Sequence, residues 1–444
     1  MEIDESIFKA YDIRGTVPEQ LNEKLAERIG KATVKFLGCK KVVVGQDMRE
    51  HSEKLTKALI DGITSMGADV IDIGMCTTPM NYHANGVFEA DASVMVTASH
   101  NTSEWNGFKI CKEQAVPLSG ETGIQEIKEL VKEDDFEEST VKGEVEERDI
   151  KDIYKDFIAE HYHNPDGKSL KIVADCANAM GVYELESLKL PGVEIIPLFD
   201  ELDSSFPNHE ANPLKTETLE KLQKRVQEEG ADFGVAFDGD ADRCGFVDEV
   251  AGIIRSDFTT ALNAKDILSE TPNAKIFFDL RSSKVVKEVI EKNNGTPLMC
   301  RVGHAFIKAQ MREENAIFAG ELSGHFYFKE NFNAESSALA TVRTMNMLIK
   351  SGKKLSELVE ELKVYAQSGE INRKVSDPDK IMQKIENHFS DARIYHLDGV
   401  TVEYDKWWFN IRKSNTEPVL RINLEAETED MVKEKLDEVL GLYE

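Results

Sequence analysis

The fold prediction starts from one stretch of the chain, Ala92-Ser93-Val94-Met95-Val96-Thr97-Ala98-Ser99-His100-Asn101. Its first half is almost entirely apolar or small, as in a strand that is buried in a parallel sheet. Its second half brings together a hydroxyl, an imidazole and an amide. Open α/β sheets present their ligands at the carboxyl ends of strands, so this order predicts a reaction centre around Ser99.

The same arrangement occurs three times along the chain. In each unit, short apolar strands alternate with amphipathic helices, and the first strand runs into an aspartate: Asp47, Asp175 or Asp279. A polar loop follows the third strand of each unit, and the three loops are Thr97–Asn101, Asp238–Arg243 and Gly320–His325. Each unit is long enough to own a core, which predicts three related mixed α/β domains rather than a solenoid.

The C-terminal part of the chain has a different pattern. It contains predicted helices over 378–389 and 429–442, with three predicted strands between 399 and 424. This order predicts a smaller α+β domain with an antiparallel sheet. The predicted domains therefore cover residues 1–145, 146–247, 248–364 and 365–444, around a central cleft.

Composition narrows the range of partners. The 444 residues include 54 basic and 82 acidic side chains, a net charge of −28, which disfavours nucleic acid as a ligand. The six cysteines are scattered, as in the reduced thiols of a cytoplasmic protein, and no signal peptide is evident. No apolar run reaches membrane-spanning length, so we expect no membrane association. The expected oligomeric state is a monomer or a homodimer.

The second loop has the composition of a magnesium site. Asp238, Asp240 and Asp242 alternate with small residues, and hard oxygen ligands of this kind suit Mg²⁺. An EF-hand shares this spacing but requires glycine where Arg243 stands and a helix before the loop, so that alternative is rejected. A solvated acidic turn is the other alternative, although three carboxylates at one strand end repel each other without a cation.

A second group of residues predicts anion binding. Arg412, Ser414, Asn415 and Thr416 offer a guanidinium, two hydroxyls and turn amides, the composition of a phosphate cradle, although a capped hairpin turn would look the same. Four cations adjoin the candidate loops of this acidic chain: Arg14, Lys109, Arg243 and Arg412. Ser99 could cap a helix instead. The residues after it do not favour a helix, so we interpret Ser99 as a nucleophile that carries phosphate.

Taken together, these loops identify a family. The chain resembles the α-D-phosphohexomutase superfamily over its full length: Thr97–Asn101 is similar to its phosphoserine loop, Asp238–Arg243 to its metal loop, Gly320–His325 to its sugar-binding loop and Arg412–Pro418 to its phosphate-binding loop. Segments around Tyr11, Asn106 and His304 are also similar. The sequence Gly-Glu-Leu-Ser-Gly-His is typical of the phosphomannomutase/phosphoglucomutase branch. Arg281 stands where that branch has a substrate-contacting lysine, which leaves the preferred hexose open.

The resemblance implies a reaction and its participants. Hexose 1-phosphate and hexose 6-phosphate would interconvert through phosphorylated Ser99 and a hexose 1,6-bisphosphate, with Mg²⁺ held by Ser99 and the three aspartates and with glucose 1,6-bisphosphate or an equivalent as activator. Arg14, Lys109 and His304 would move a proton or stabilise charge beside Ser99. The implied substrate-binding residues are Tyr11, Arg243, Arg281, Glu321, Ser323, His325, Arg412, Ser414, Asn415 and Thr416.

Three other functions stay open at this point. A phosphoglucosamine mutase would use the same four loops on an amino sugar. A metal-dependent sugar phosphatase would release the phosphate to water, and a non-catalytic protein would only bind sugar phosphates.

Overall fold

The computed structural model describes residues 3–413 and 419–443, which form four domains with one sheet each. Three mixed α/β domains precede a smaller α+β domain, as the sequence predicts. Within the described ranges, no helix combines the length and the apolar character that crossing a bilayer requires.

The first domain contains a seven-stranded sheet. Its elements are β1 (Ile13–Thr16), α1 (Glu23–Leu37), β2 (Lys41–Gln46), α2 (Ser52–Ser65), β3 (Asp69–Met75), α3 (Thr78–Val87), β4 (Ala92–Val96), β5 (Trp105–Lys112), β6 (Val116–Pro117), α4 (Gln125–Glu133) and β7 (Val145–Glu147). Local sequence sets several of the boundaries: Asn22 caps α1 through Leu25 N–H, and Thr77 caps α3 just before Pro79.

The second and third domains each contain a five-stranded sheet. The second comprises α5 (Lys151–Glu160), β8 (Leu170–Asp175), α6 (Gly181–Ser187), β9 (Val193–Leu198), α7 (Glu220–Glu229), β10 (Phe233–Phe237), β11 (Cys244–Asp248) and β12 (Ile253–Ile254). The third comprises α8 (Ser256–Glu270), β13 (Lys275–Asp279), α9 (Lys284–Lys292), β14 (Thr296–Cys300), α10 (His304–Glu314), β15 (Phe318–Gly320), β16 (Phe326–Phe328), β17 (Ala334–Glu335), α11 (Ser337–Ser351) and α12 (Leu355–Glu360).

The three sheets share one strand order, which accounts for the sequence repeat. Their common parts run β5-β4-β2-β3, β11-β10-β8-β9 and β16-β15-β13-β14. In each, the third of three parallel strands pairs with an antiparallel strand that follows it in the chain. The polar loop of each repeat therefore lies between the third strand and an antiparallel return strand.

The fourth domain is an antiparallel sheet flanked by helices. It comprises β18 (Ala366–Lys374), α13 (Pro378–His388), β19 (Arg393–Tyr395), β20 (Val400–Glu403), β21 (Trp407–Lys413), β22 (Val419–Ala426) and α14 (Glu429–Gly441), with strand order β18-β22-β21-β20-β19. Its buried apolar side chains form a cluster of their own, whereas one continuous core joins parts of the first three domains.

Three strands, β7, β12 and β18, are not among the predicted elements. Most side chains of β18 are exposed and show no apolar alternation, so periodicity does not reveal this strand. β7 pairs with β3, and β12 pairs with β11, so the first two sheets extend past the predicted boundaries at residues 145 and 247. The side chains of β7 are all exposed, which explains why periodicity did not reveal it.

Candidate active site

Three loops meet where the first three domains face each other. We call them the serine loop (97–104), the aspartate loop (238–243) and the glutamate loop (320–325). A Cβ atom added to Gly239 would lie 2.2 Å from the carbonyl oxygen of Ser99, so only glycine allows the first two loops to come this close. A β-bridge between Arg243 and His325 connects the second loop to the third. The three predicted loops therefore form one site.

Ser99 points directly into the aspartate loop. Its Oγ donates a hydrogen bond to Asp238 Oδ2 at 2.9 Å and lies 3.2 Å from Nδ1 of His100. Ser99 is 1% exposed and has a φ of 52°, a left-handed conformation that non-glycine residues adopt at a cost. The backbone is thus held in a conformation that aims this hydroxyl at the carboxylates.

The three aspartates converge as the sequence predicts. Asp238, Asp240 and Asp242 are buried, and one oxygen from each lies within 4.8 Å of the others. Nζ of Lys109, on β5, donates to Asp240 and to Asp242 at 2.5 Å each. The hydroxyl of Thr78 donates to Asp240 at 2.6 Å, a contact that the sequence did not single out.

The electrostatics of this cluster favour a bound cation. Burial, together with the neighbouring carboxylates of Asp242 and Asp240, raises the pKa of Asp238 to about 8. Oδ1 of Asp240 is buried and finds no hydrogen-bond donor among residues 3–413 and 419–443, and Oδ1 of Asp242 has only the imidazole of His325 at 3.4 Å. Buried acceptors with so few donors fit a divalent cation with oxygen ligands, so the residues present suit Mg²⁺.

Arg14 joins the serine loop from the edge strand β1. Its NH1 group donates to Asn101 Oδ1 at 2.6 Å, and its NH2 group forms an ion pair with Asp12. His100 lies beside it, and burial together with the nearby guanidinium groups lowers the pKa of its imidazole to about 2. The serine loop therefore has fixed positive charge on one side and a neutral imidazole next to its hydroxyl.

The glutamate loop presents a buried carboxylate in a fixed orientation. Glu321 Oε2 accepts from Tyr327 Oη at 2.9 Å and lies 3.2 Å from Nδ1 of His325. Burial alone would raise the pKa of Glu321, but His325 and Arg281 together hold it well below its usual value. Ser323 Oγ is 2.8 Å from the same imidazole nitrogen, and Arg243 Nε lies 3.1 Å from Nε2 of the His325 ring.

His304 and Tyr11 lie side by side at the start of α10. Their ring centroids are 5.1 Å apart in an edge-to-face arrangement, and the His304 ring is 6.4 Å from that of His325. Burial, reinforced by the ammonium group of Lys308, holds the pKa of His304 well below 6.5. His304 is thus a neutral imidazole at neutral pH.

Arg281 and Arg412 connect the third domain to the fourth. Arg281 is held by Asp279, with Nε 2.9 Å from Oδ1, and lies 3.7 Å from Glu321. Arg412 donates to Glu370 Oε2 at 2.7 Å, and Arg281 is 3.8 Å from the same oxygen. Glu370, on β18, was not predicted as a site residue. Ser414, Asn415 and Thr416 lie outside the described residues.

Comparison with known proteins identifies the family. Models of the phosphoglucomutase/phosphomannomutase α/β/α domains I, II and III match residues 5–138, 152–252 and 255–365, and the model of the C-terminal domain matches 370–442. A phosphomannomutase of Methanocaldococcus jannaschii is 42% identical over 445 residues, covering 99% of this chain and 98% of that protein. The chain belongs to the phosphoglucomutase/phosphomannomutase family.

Other members of the phosphoglucomutase/phosphomannomutase family are similar to this chain in sequence and in structure. The phosphohexose mutases of Xanthomonas campestris pv. campestris are 39% identical, with 94% of each chain covered. The crystal structure of a family protein from Burkholderia thailandensis superimposes with a TM-score of 0.90 at 31% identity, covering 99% of this chain and 98% of that one. The predicted family and fold class are thereby confirmed, and the chain is a phosphohexomutase, an isomerase.

Proposed function

We propose that this phosphohexomutase transfers a phosphoryl group between Ser99 and the C1 and C6 hydroxyls of a hexose, through a hexose 1,6-bisphosphate. The observation that carries the proposal is the hydrogen bond from Ser99 Oγ to Asp238, in a buried site that also contains two further carboxylates and Lys109. A serine with no role in transfer would not need this surrounding charge.

Each phosphoryl transfer forms one bond to phosphorus and breaks another. A sugar hydroxyl oxygen attacks the phosphorus of phosphorylated Ser99, the bond from phosphorus to Oγ breaks, and the hydroxyl proton passes to a base. The bisphosphate then turns over, and its other phosphoryl group returns to Ser99 while the proton is given back. Ser99, Asp238, Asp240 and Asp242 would hold Mg²⁺, which neutralises charge on the phosphoryl group when it is bound.

The cations beside Ser99 divide these tasks. Lys109 donates to two carboxylates at once, so its ammonium group is fixed and suits charge stabilisation rather than proton transfer. Arg14 is directed toward Asn101 of the serine loop and suits the same task. Of the three candidates, only His304 is a neutral group with a free lone pair, so we assign the acceptance of the hydroxyl proton to its imidazole.

Substrate recognition falls to the other loops. Glu321 and Ser323 would hold ring hydroxyls, with His325, Arg243 and Tyr11 around them. Arg412 and the segment that contains Ser414, Asn415 and Thr416 would hold the substrate's own phosphate. Arg281 lies between these two groups, because it is near both Glu321 and Glu370.

The substrates that we propose are mannose and glucose phosphates. The similarity to phosphomannomutases and phosphohexose mutases supports this choice over glucosamine phosphate. Glucose 1,6-bisphosphate or an equivalent bisphosphate would restore enzyme that has lost its phosphate. The six free, buried cysteines support a location in the reducing cytoplasm, and the protein would act as a monomer or a homodimer.

A coupled isomerisation assay tests the proposal. With Mg²⁺ and a trace of glucose 1,6-bisphosphate, we expect turnover of both mannose and glucose 1-phosphates, and Ser99→Ala should lose it while keeping the wild-type melting temperature. A folded Ser99→Ala variant that still isomerises would contradict the proposal. A wide preference for glucosamine phosphate would make the enzyme a phosphoglucosamine mutase, and release of inorganic phosphate faster than isomer would make it a phosphatase.

A further inference from the structure

Arg49, just after β2, uses its whole guanidinium group to hold the serine loop. The side chain is completely buried. Its five N–H groups donate to Asp47 Oδ2 (3.0 Å) and to the backbone carbonyls of Ser99 (2.8 Å), Asn101 (2.6 Å), Thr102 (2.7 Å) and Trp105 (3.1 Å). A guanidinium has five such donors in a fixed plane, and all of them are used.

These contacts span the serine loop from its nucleophile to its end. The carbonyl of Ser99 lies between Arg49 on one side and the backbone of Gly239 on the other. This fixes the peptide plane that follows Ser99. Because the φ of Ser99 is 52°, the loop would gain free energy by relaxing to an ordinary conformation, and Arg49 opposes that relaxation.

Arg49 is itself held from behind. Asp47 Oδ1 accepts from the backbone N–H of Arg49 at 3.0 Å and from Ser52 Oγ at 2.5 Å, and Ser52 Oγ accepts from Asn106 at 2.9 Å. On the other side, the guanidinium lies 5.4 Å from the ring centroid of Phe206, in the second domain. The group is thus packed between two domains and has little freedom to move.

We infer that Arg49 is a positioning residue for phosphoryl transfer through Ser99. It does not touch the reacting atoms. It holds the serine loop in the strained conformation in which Oγ faces Asp238, and so sets the geometry in which the hydroxyl takes up and gives away phosphate. This inference rests on the proposed function. Arg14 and Lys109 differ from Arg49, because their side chains donate to the side chains of Asn101, Asp240 and Asp242 and not to the backbone of the serine loop.

The test is Arg49→Lys, with Arg28→Lys as the matched control. Lysine keeps the positive charge next to Asp47 but cannot donate to four carbonyls at once. Arg28 is also buried, at 8% exposure, and is paired with Asp134 on the outer helices of the same domain, away from the site. Three quantities are measured. Intact mass gives the rate at which glucose 1,6-bisphosphate phosphorylates Ser99, calorimetry gives the Kd of the bisphosphate, and a thermal scan gives the melting temperature.

We expect Arg49→Lys to slow phosphorylation of Ser99 by about 100-fold, since a small displacement of the nucleophile is costly. The Kd should stay within about threefold of wild type, because the bisphosphate binds mainly to other loops. Arg28→Lys should lower the melting temperature without slowing phosphorylation. Asp47→Asn weakens the contact that holds Arg49 but keeps its guanidinium group. It should also slow phosphorylation with little change in the Kd, to a smaller degree, and it replaces Arg49→Lys if that variant does not fold.

Two results would overturn the inference. One is phosphorylation of Arg49→Lys, or of Asp47→Asn in its place, at the wild-type rate. The other is a loss of rate that only follows a parallel loss of bisphosphate binding. A wild-type protein that takes no phosphoryl group from glucose 1,6-bisphosphate contradicts the proposed function as a whole, whereas equal rates in wild type and variant contradict only the role of Arg49.

Discussion

Thr78 supplies a hydroxyl to the aspartate loop from another domain. Its Oγ1 donates to Asp240 Oδ2 at 2.6 Å, and its backbone N–H donates to the carbonyl of Asp240 at 3.0 Å. Both contacts orient a carboxylate that the proposed metal site requires. Groups that orient a metal ligand in this way commonly change metal affinity by about 10- to 100-fold when they are removed.

We therefore expect Thr78→Val to weaken Mg²⁺ binding by about 10- to 100-fold while the backbone contact keeps the loop in place. The measurement is the Mg²⁺ concentration that gives half-maximal mutase activity. Thr33→Val, which removes another buried hydroxyl in α1, should leave that concentration unchanged. An unchanged Mg²⁺ requirement in Thr78→Val would show that the hydroxyl does not organise the site.

Some of the site residues could be predicted from the sequence, and others could not. Ser99, the three aspartates and Glu321 follow predicted strands in loops that repeat, so their convergence could be predicted. Thr78 and Glu370 could not, because they reach the site only through contacts between domains. The sequence does contain a pattern that indicates Arg49: Asp47-Met48-Arg49 and Asp279-Leu280-Arg281 occupy the same place in two repeats.

At the scale of the elements, an aspartate at the end of the first parallel strand has an equivalent role in each of the three α/β domains. Asp47 holds Arg49, Asp279 holds Arg281, and Asp175 lies 3.1 Å from Nε2 of His209. All three aspartates are buried and face a group that is or can be cationic. In the second domain that group is a histidine, so this domain alone has a titratable version of the anchor.

This difference predicts a pH dependence of stability. The hydrogen bond and the charge of Asp175 outweigh the burial of His209 and raise its pKa above 6.5 in the folded state. The contribution of the pair to the free energy of unfolding is then complete below pH 6.5 and is lost as the pH rises through the raised pKa.

We expect the free energy of unfolding of the wild type to fall over this range more steeply than that of His209→Gln, measured by denaturant unfolding at a series of pH values. His161→Gln, which changes a histidine outside the pair, should keep the wild-type slope. Equal slopes for wild type and His209→Gln would mean that the pair does not stabilise the fold.

The elements themselves were only partly predictable. The parallel strands and their helices have clear apolar periodicity, so their existence and order could be predicted. The return strands β5, β11 and β16 were not predicted, because each begins inside or just after a polar loop. β18 is largely exposed and has no alternation, so its pairing with β22 depends on the rest of the fourth domain.

At the scale of the whole molecule, the fourth domain stands apart from the other three. Its apolar core is separate, and its border with the third domain includes polar contacts: Glu425 accepts from the backbone of Lys284 at 2.9 Å, and Arg281 faces Glu370. A phosphate clamp on such a domain can open without disrupting the main core. The proposed reaction needs such opening, because the bisphosphate has to reverse its orientation between the two transfers.

In the proposed function, this arrangement would provide one site for phosphoryl transfer and a separate clamp for the other phosphate. The first three domains converge on Ser99 and the aspartates, whereas Arg412 belongs to the fourth. The central claim is therefore that the phosphate on Ser99 passes to the sugar held by that clamp, and does not pass to water.

A single-turnover transfer tests this claim most directly. Enzyme phosphorylated at Ser99 is mixed with Mg²⁺ and a slight excess of mannose 1-phosphate, and the protein mass and the sugar products are followed together. We expect the loss of phosphate from Ser99 to match a transient rise of mannose 1,6-bisphosphate, and the return of phosphate to Ser99 to match the appearance of mannose 6-phosphate. Mannose 6-phosphate that forms without any loss of phosphate from Ser99 and without a bisphosphate, or Ser99 phosphate recovered as inorganic phosphate, would contradict the account.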